Sequence, residues 1–247
     1  MTEPRSPEAQ ARVDLAAALR TASRMGLGEG ICNHFSAEVP GEPGRFLINP
    51  QGLHWSEVTP GDLVLLDAQG RKLAGRHEVE PTAFFIHGAA HRSKPTAKCV
   101  LHTHMPYATT LTVMLGARIE PVSQTALKFH GRDAYEDHYN GLALDAAEGA
   151  RIVGGLKNAD ILFLANHGVI VTGPRIDTAF DDLYYLERAC QLQVLAMCSG
   201  KPLRPVAEAI ALKTARQIRG DDTQAGLHFS ALKRLLDRDE PGWDRPD

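Results

Sequence analysis

The amino-acid sequence predicts an α/β fold, a mixed and largely antiparallel sheet flanked by helices. Three observations carry that expectation. Helices with readable start and stop signals sit towards both ends of the chain, and short apolar segments of strand length lie between them. These segments do not follow a strict strand–helix–strand rhythm. At 247 residues, 43% hydrophobic and 23% charged, the chain is long enough to bury one sizeable core. We expect a single domain over 1–247, with its core at about 8–200 and a C-terminal helical tail at 201–247.

The elements follow in order. Ser6 is placed to cap the first helix, Pro7 suits its first position, and Glu8 favours its positive end. An Ala/Leu-rich body runs to about Met25, before the glycines of "GLGEG". "RFLIN", "DLVLLD" and "KCVLHT" read as strands, and "DAQG" as a hairpin turn. A helix is predicted from Pro81, with Glu80 just before it and Pro95 beyond its end. "ILFLANHGVIVTG" is two apolar runs joined by Asn166-His167-Gly168, a tight hairpin with a histidine at its tip, because Asn and Gly tolerate left-handed backbone. Thr178 with Asp181 reads as a capping box opening a long helix that stops at Gly200. One or two helices follow Pro205, and "PGWDRPD" reads as a frayed end.

Composition narrows the function. The net charge of −3 arises from mixed signs, so no basic surface points to nucleic acid. No apolar run approaches the roughly 18 residues of a membrane span, and the polar, acidic N-terminus has no signal-like core, so a cytoplasmic protein is expected. The cysteines Cys32, Cys99, Cys190 and Cys198 form no CxxC pair, and three of them read as small buried hydrophobes.

The chemistry concentrates in "CVLHTHMPY". On a strand, residues two apart leave the same face, so His102 and His104 can converge on one metal ion. One buried histidine bonded to backbone beside one solvent-facing neighbour remains the alternative. His167, at the hairpin tip, is the candidate third ligand.

"KPTAKCVLHTHMPYATTLT", then "ILFLANHGVIVTG" and "AFDDLYYLERACQLQ", together resemble the class II aldolase/adducin family, most closely its bacterial adducin-like branch. The resemblance runs roughly from Val13 to Ala196. It implies a three-layer α/β fold, a central mostly antiparallel sheet with helices on both sides. It also implies a divalent metal held by His102, His104 and His167, usually zinc, with manganese, cobalt or iron(II) as alternatives. A small-molecule substrate and a homo-oligomer, commonly a tetramer with sites between subunits, are implied too; no nucleic-acid or membrane partner is expected. Three protein ligands leave open positions, as catalytic sites do.

The chain departs from the family's sugar-phosphate aldolases in two places. Their acid/base glutamate falls here on Ala83, and their two serines on Pro81 and Thr82, which leaves Glu80 as the nearest carboxylate. Glu80 equally suits a purely helix-terminal role. Their phosphate pocket appears here as "NHFS" at 33–36 and "NPQG" at 49–52. Asn33, His34, Ser36, Asn49, Gln51, Gly52 and Thr82 are therefore the candidate substrate-binding residues, although His34 also reads as a surface-loop histidine and Gly52 as a turn. In "SQTALKFHGRDAYEDHYNG", Gln124, His130, Tyr135 and Tyr139 fall where this branch places residues near the metal. His130 and Tyr139 join Glu80 as catalytic candidates, and Phe129 reads as core. His87 and His91, one helical turn apart, read as structural, and Glu187 as helix packing and surface.

The expected function is a metal-dependent carbon–carbon lyase, aldolase-like, acting on a small hydroxy-carbonyl substrate without a phosphate. A decarboxylase of a hydroxy, keto or aromatic acid is the alternative chemistry. A non-catalytic assembly module like the adducin head is the alternative class, and it leaves the three histidines unexplained.

Overall fold

A computed structural model describes residues 5–221 and 223–245 of the chain. Helix α1 (Pro7–Arg24) begins as its sequence predicts, with Ser6 Oγ accepting from Ala9 N at 3.2 Å. The sheet comprises β1 (His34–Glu38), β2 (Arg45–Ile48), β3 (Val64–Asp67), β4 (Lys72–Ala74), β5 (Cys99–Thr103), β6 (Asp133–Glu136), β7 (Ile161–Leu164) and β8 (Gly168–Gly173). Their order is β4-β3-β2-β1-β5-β8-β7-β6. Among the described residues every neighbouring pair is antiparallel except β6 and β7. The remaining helices are α2 (Pro81–Ser93), α3 (Pro106–Thr112), α4 (Gln124–Leu127), α5 (Ala146–Ile152), α6 (Ile176–Cys198), α7 (Glu208–Arg219) and α8 (Gln224–Asp239).

The period-two alternation of the strands divides the core between the two faces. Phe35, Cys99, Leu101, Phe163, Val169 and Val171 point to one side, where α1, α3, α6 and α8 contribute to the same cluster. Val100, Leu162, Leu164 and Ile170 point to the other, against Ile86, Ala89 and Ala90 of α2 and Ile152 of α5. This is the three-layer arrangement the resemblance implied. The same alternation places His34, Ser36 and His102 on the α2 face.

Several local expectations need correction. Residues 34–38 form a strand, so His34 is a buried strand residue and not a surface-loop one. Helix α6 begins at Ile176 with Arg175 as N-cap; Thr178 lies inside its first turn, its hydroxyl donating to Arg175 O. Asp181 is not a capping residue but a buried acid between His228 (2.7 Å) and Lys128. Two cysteines are buried, Cys99 and Cys190, while Cys32 and Cys198 are exposed. Glu187 is buried rather than at the surface, for reasons its partners make clear below. The segment after α8 is docked, not frayed: Trp243 is buried in the main core and donates from Nε1 to Asp237 at 2.9 Å. The last two residues of "PGWDRPD" lie outside the described residues. No helix among the described residues is long and apolar enough to cross a membrane.

Candidate functional site

His102 is the fourth residue of β5, and His104 follows one residue beyond the strand's end. The β7–β8 hairpin carries His167 to them. Asn166 adopts the left-handed conformation expected of it, at φ 56°, and its N–H donates to Thr112 O. Gly168 serves a different purpose from the one expected, since its φ is not positive. A Cβ there would sit 2.5 Å from Thr103 O and 2.7 Å from His104 Cδ2, so glycine is what lets β8 close on the end of β5.

The three imidazoles converge. Their ring centroids stand 5.1 Å (His102–His104), 4.7 Å (His102–His167) and 4.9 Å (His104–His167) apart. One nitrogen from each lies within 4.8 Å of the others, an arrangement that can hold a metal ion. The tautomers fit that use. His102 Nδ1–H donates to Val169 O at 3.0 Å and His104 Nδ1–H to Glu29 Oε2 at 2.5 Å, which leaves both Nε2 lone pairs bare. His104 Nε2 is buried without a hydrogen-bond partner. Burial, reinforced by His104, lowers the His167 pKa to about 4, and burial with the neighbouring imidazoles holds His102 well below its ordinary value. Both are neutral at pH 7, as metal ligation requires.

Around this cluster the predicted residues divide. His34 stands opposite His102 in the β1–β5 register. Burial lowers its pKa to about 4, against the opposing pull of Glu80. Glu80 Oε2 lies 3.8 Å from His34 Nε2 and also accepts from Ala83 N at 3.0 Å and from the Thr82 hydroxyl. Glu80 therefore caps α2 and reaches the histidine row at once. The Tyr139 ring lies 6.4 Å from that of His167, and Tyr139 is half exposed.

Several other candidates, Asn33, Ser36 and Asn49 among them, are committed to internal bonds. Asn49 Oδ1 accepts from Phe35 N at 2.8 Å, and its Nδ2 donates to Asn33 O at 3.4 Å. Asn33, at φ 76°, accepts on Oδ1 from both Glu29 N and His104 N, each at 3.2 Å. Ser36 Oγ sits between His87 Nδ1 (2.7 Å) and His91 Nε2 (2.8 Å). Because His91 Nδ1–H donates to Ala97 O, His91 accepts the Ser36 hydroxyl, and Ser36 in turn accepts from His87. His91 is thereby bonded at both ring nitrogens, whereas His87 Nε2 is buried without a hydrogen-bond partner. Gln51 N donates to Glu78 O, and Gly52 makes a turn at φ 86°. His130 is held by Glu208 of α7 at 3.0 Å, not by the histidine cluster. Gln124 opens α4 at the surface, and the Tyr135 hydroxyl accepts from Ile119 N.

Two contributors were not legible in advance. Glu29 reaches His104 across 75 positions, and its only sequence mark is a carboxylate between glycines. Glu187 accepts from Tyr107 N and Ala108 N, each at 2.9 Å, anchoring the start of α3 just after His104. Its burial raises its pKa, and the two N–H donors oppose that.

A three-layer α/β sheet with three imidazoles converging where β5 ends and β8 begins defines a recognisable class. The chain belongs to the class II aldolase and adducin family, whose N-terminal-domain description matches residues 13–194. It is similar to the crystal structure of an aldolase II superfamily protein from Pseudomonas syringae, with TM-score 0.90 and 33% identity, covering 99% of this chain and 98% of that one. Decarboxylase NovR of Streptomyces niveus is 30% identical over 225 residues, 89% of this chain and 83% of that protein. Alpha-adducin of Rattus norvegicus is 34% identical over 244 residues, which are 92% of this chain and 33% of that protein.

Proposed function

We propose that this chain is a metal-dependent carbon–carbon lyase of aldolase type, acting on a small hydroxy-carbonyl substrate that lacks a phosphate. The observation that carries the reading is the convergence of His102, His104 and His167, the first two with Nδ1 held by a backbone carbonyl and a carboxylate so that Nε2 is left for the cluster. A divalent ion bound there, zinc first and manganese, cobalt or iron(II) as alternatives, would supply Lewis acidity to adjacent substrate oxygens. The chain's own groups hold and move protons beside it. Glu80 Oε2 is the proton acceptor, with neutral His34 next to it, and Tyr139 is a hydroxyl donor on the His167 side.

The commitments of the pocket residues support a substrate without a phosphate. Ser36 and Asn49 spend their polar atoms on internal partners, and the Thr82 hydroxyl is bound by the Glu80 carboxylate. Phosphate oxygens want charge-assisted donors, and an acid in that position repels them. Homo-oligomers, with a tetramer favoured by the family, are supported by exposed apolar side chains at Val113, Leu115, Leu142 and Leu144.

Decarboxylation is the second reading, and Ala83 favours it. The position of the family's acid/base is fully buried in an apolar cluster with Ile48, Val64 and Leu66, a setting that would strongly disfavour a carboxylate. Loss of carbon dioxide needs no hydroxyl deprotonation, and a relative that is 30% identical is named a decarboxylase. The test is a panel of phosphate-free hydroxy-ketones and hydroxy and keto acids, followed for aldehyde and for carbon dioxide with and without a chelator. Chelator-sensitive aldehyde release is expected. Ordinary turnover of a ketose 1-phosphate, or turnover that ignores the chelator, would overturn the reading.

A further inference from the structure

We propose that Glu29 is a positioning residue for the metal centre, orienting His104 from a loop that contributes no ligand of its own. The inference rests on the reading of the three histidines as a metal site. Glu29 Oε2 and His104 Nδ1 are 2.5 Å apart, a charge-assisted hydrogen bond that fixes the proton on Nδ1 and presents Nε2 to the cluster. His102 has its Nδ1 fixed by a neutral carbonyl, Val169 O, so Glu29 is the carboxylate seen bonded to this pair. A carboxylate behind a ligating imidazole raises its basicity and locks its ring, and losing such a partner typically weakens metal binding about 10- to 100-fold.

The loop is built to deliver this contact. Asn33 Oδ1 accepts from both Glu29 N and His104 N, so one amide ties the carboxylate's backbone to the ligand's backbone. Gly28 packs against the indole of Trp55, where a Cβ would come within 2.9 Å of the ring. Cys32 N closes the turn on Glu29 O at 2.9 Å. The competing account is an ordinary surface ion pair, because the Glu29 side chain is 66% exposed, and such pairs contribute little to stability. The two accounts differ in what they affect. A surface pair leaves metal affinity alone, whereas a positioning residue changes affinity with little change in the fold.

The experiment titrates Co2+ into metal-stripped wild type, Glu29→Gln and Glu29→Ala at neutral pH, against a competing chelator, and records the visible spectrum of the bound ion. Glu29→Ala is expected to bind Co2+ about 10- to 100-fold more weakly with an altered spectrum, while its metal-free melting temperature stays that of wild type. Glu29→Gln keeps an acceptor for Nδ1–H and should recover part of the affinity. Affinity of Glu29→Ala within about twofold of wild type, against the 10- to 100-fold expected, overturns the proposal, as does Glu29→Gln binding no more tightly than Glu29→Ala. Failure of wild type itself to bind Co2+ would instead overturn the metal reading on which this rests.

Discussion

His34 and His102 stand directly opposite one another on β1 and β5, in register, on the face of the sheet that α2 covers. That pairing joins two parts of the site that are far apart in sequence. Through His102 the row continues to His104 and His167, and through His34 it continues to Glu80 at the N-terminus of α2.

Metal content should follow the three converging imidazoles. Replacing His102, His104 or His167 singly by Ala is expected to leave a folded protein with strongly reduced bound divalent metal, measured by elemental analysis. His130→Ala, whose ring is held by Glu208, should retain it. A stoichiometric ion in a variant lacking two of the three would refute the assignment.

Glu80→Gln separates proton transfer from helix capping. The glutamine oxygen can still accept from Ala83 N, so α2 should keep its cap. If Glu80 is the aldolase base, aldehyde release falls by about 100-fold or more. Carbon dioxide release from wild type that is indifferent to the substitution would favour the decarboxylase.

Gly168→Ala tests the closeness of β8 to β5. The new methyl would meet Thr103 O and His104 Cδ2 well inside contact distance, so either the strands separate or the His104 ring turns. We expect a loss of about 1–3 kcal/mol together with weaker Co2+ binding. A melting temperature and affinity equal to wild type would show that the approach is relaxed at no cost.

The metal-free protein should lose stability on mild acidification. His34, His91 and His167 have folded pKa values lowered to about 4, against an ordinary value of 6.5. Between those values the unfolded chain binds more protons than the folded one, so stability rises with pH. The contribution is complete above about pH 6.5 and is lost as pH falls towards 4. Each histidine adds a slope of up to about 1.4 kcal/mol per pH unit within that window. Urea midpoints measured from pH 7 to pH 5 check this, and a flat profile would contradict it.

The sequence by itself determined the local features of this protein. Ser6-Pro7-Glu8 starts a helix, Glu80-Pro81 starts another, and Asn166-His167 turns a hairpin, because these signals act largely between neighbours; the Thr178–Asp181 box failed where distant partners claimed Asp181. The convergence of His102 and His104 was equally readable from their spacing, although His104 lies just past the end of β5. The tertiary structure decided what each polar group is spent on. Ser36 became the link between His87 and His91, Asn49 the brace of β1, and Asp181 a buried partner of Lys128 and His228. Glu29 and Glu187 gained their roles only when distant segments met at His104 and at the start of α3. The physical reason is the same in each case. A buried polar atom must find a partner, and which atom lies within about 3 Å of it is settled by the packing of sheet and helices, across separations that no local pattern encodes.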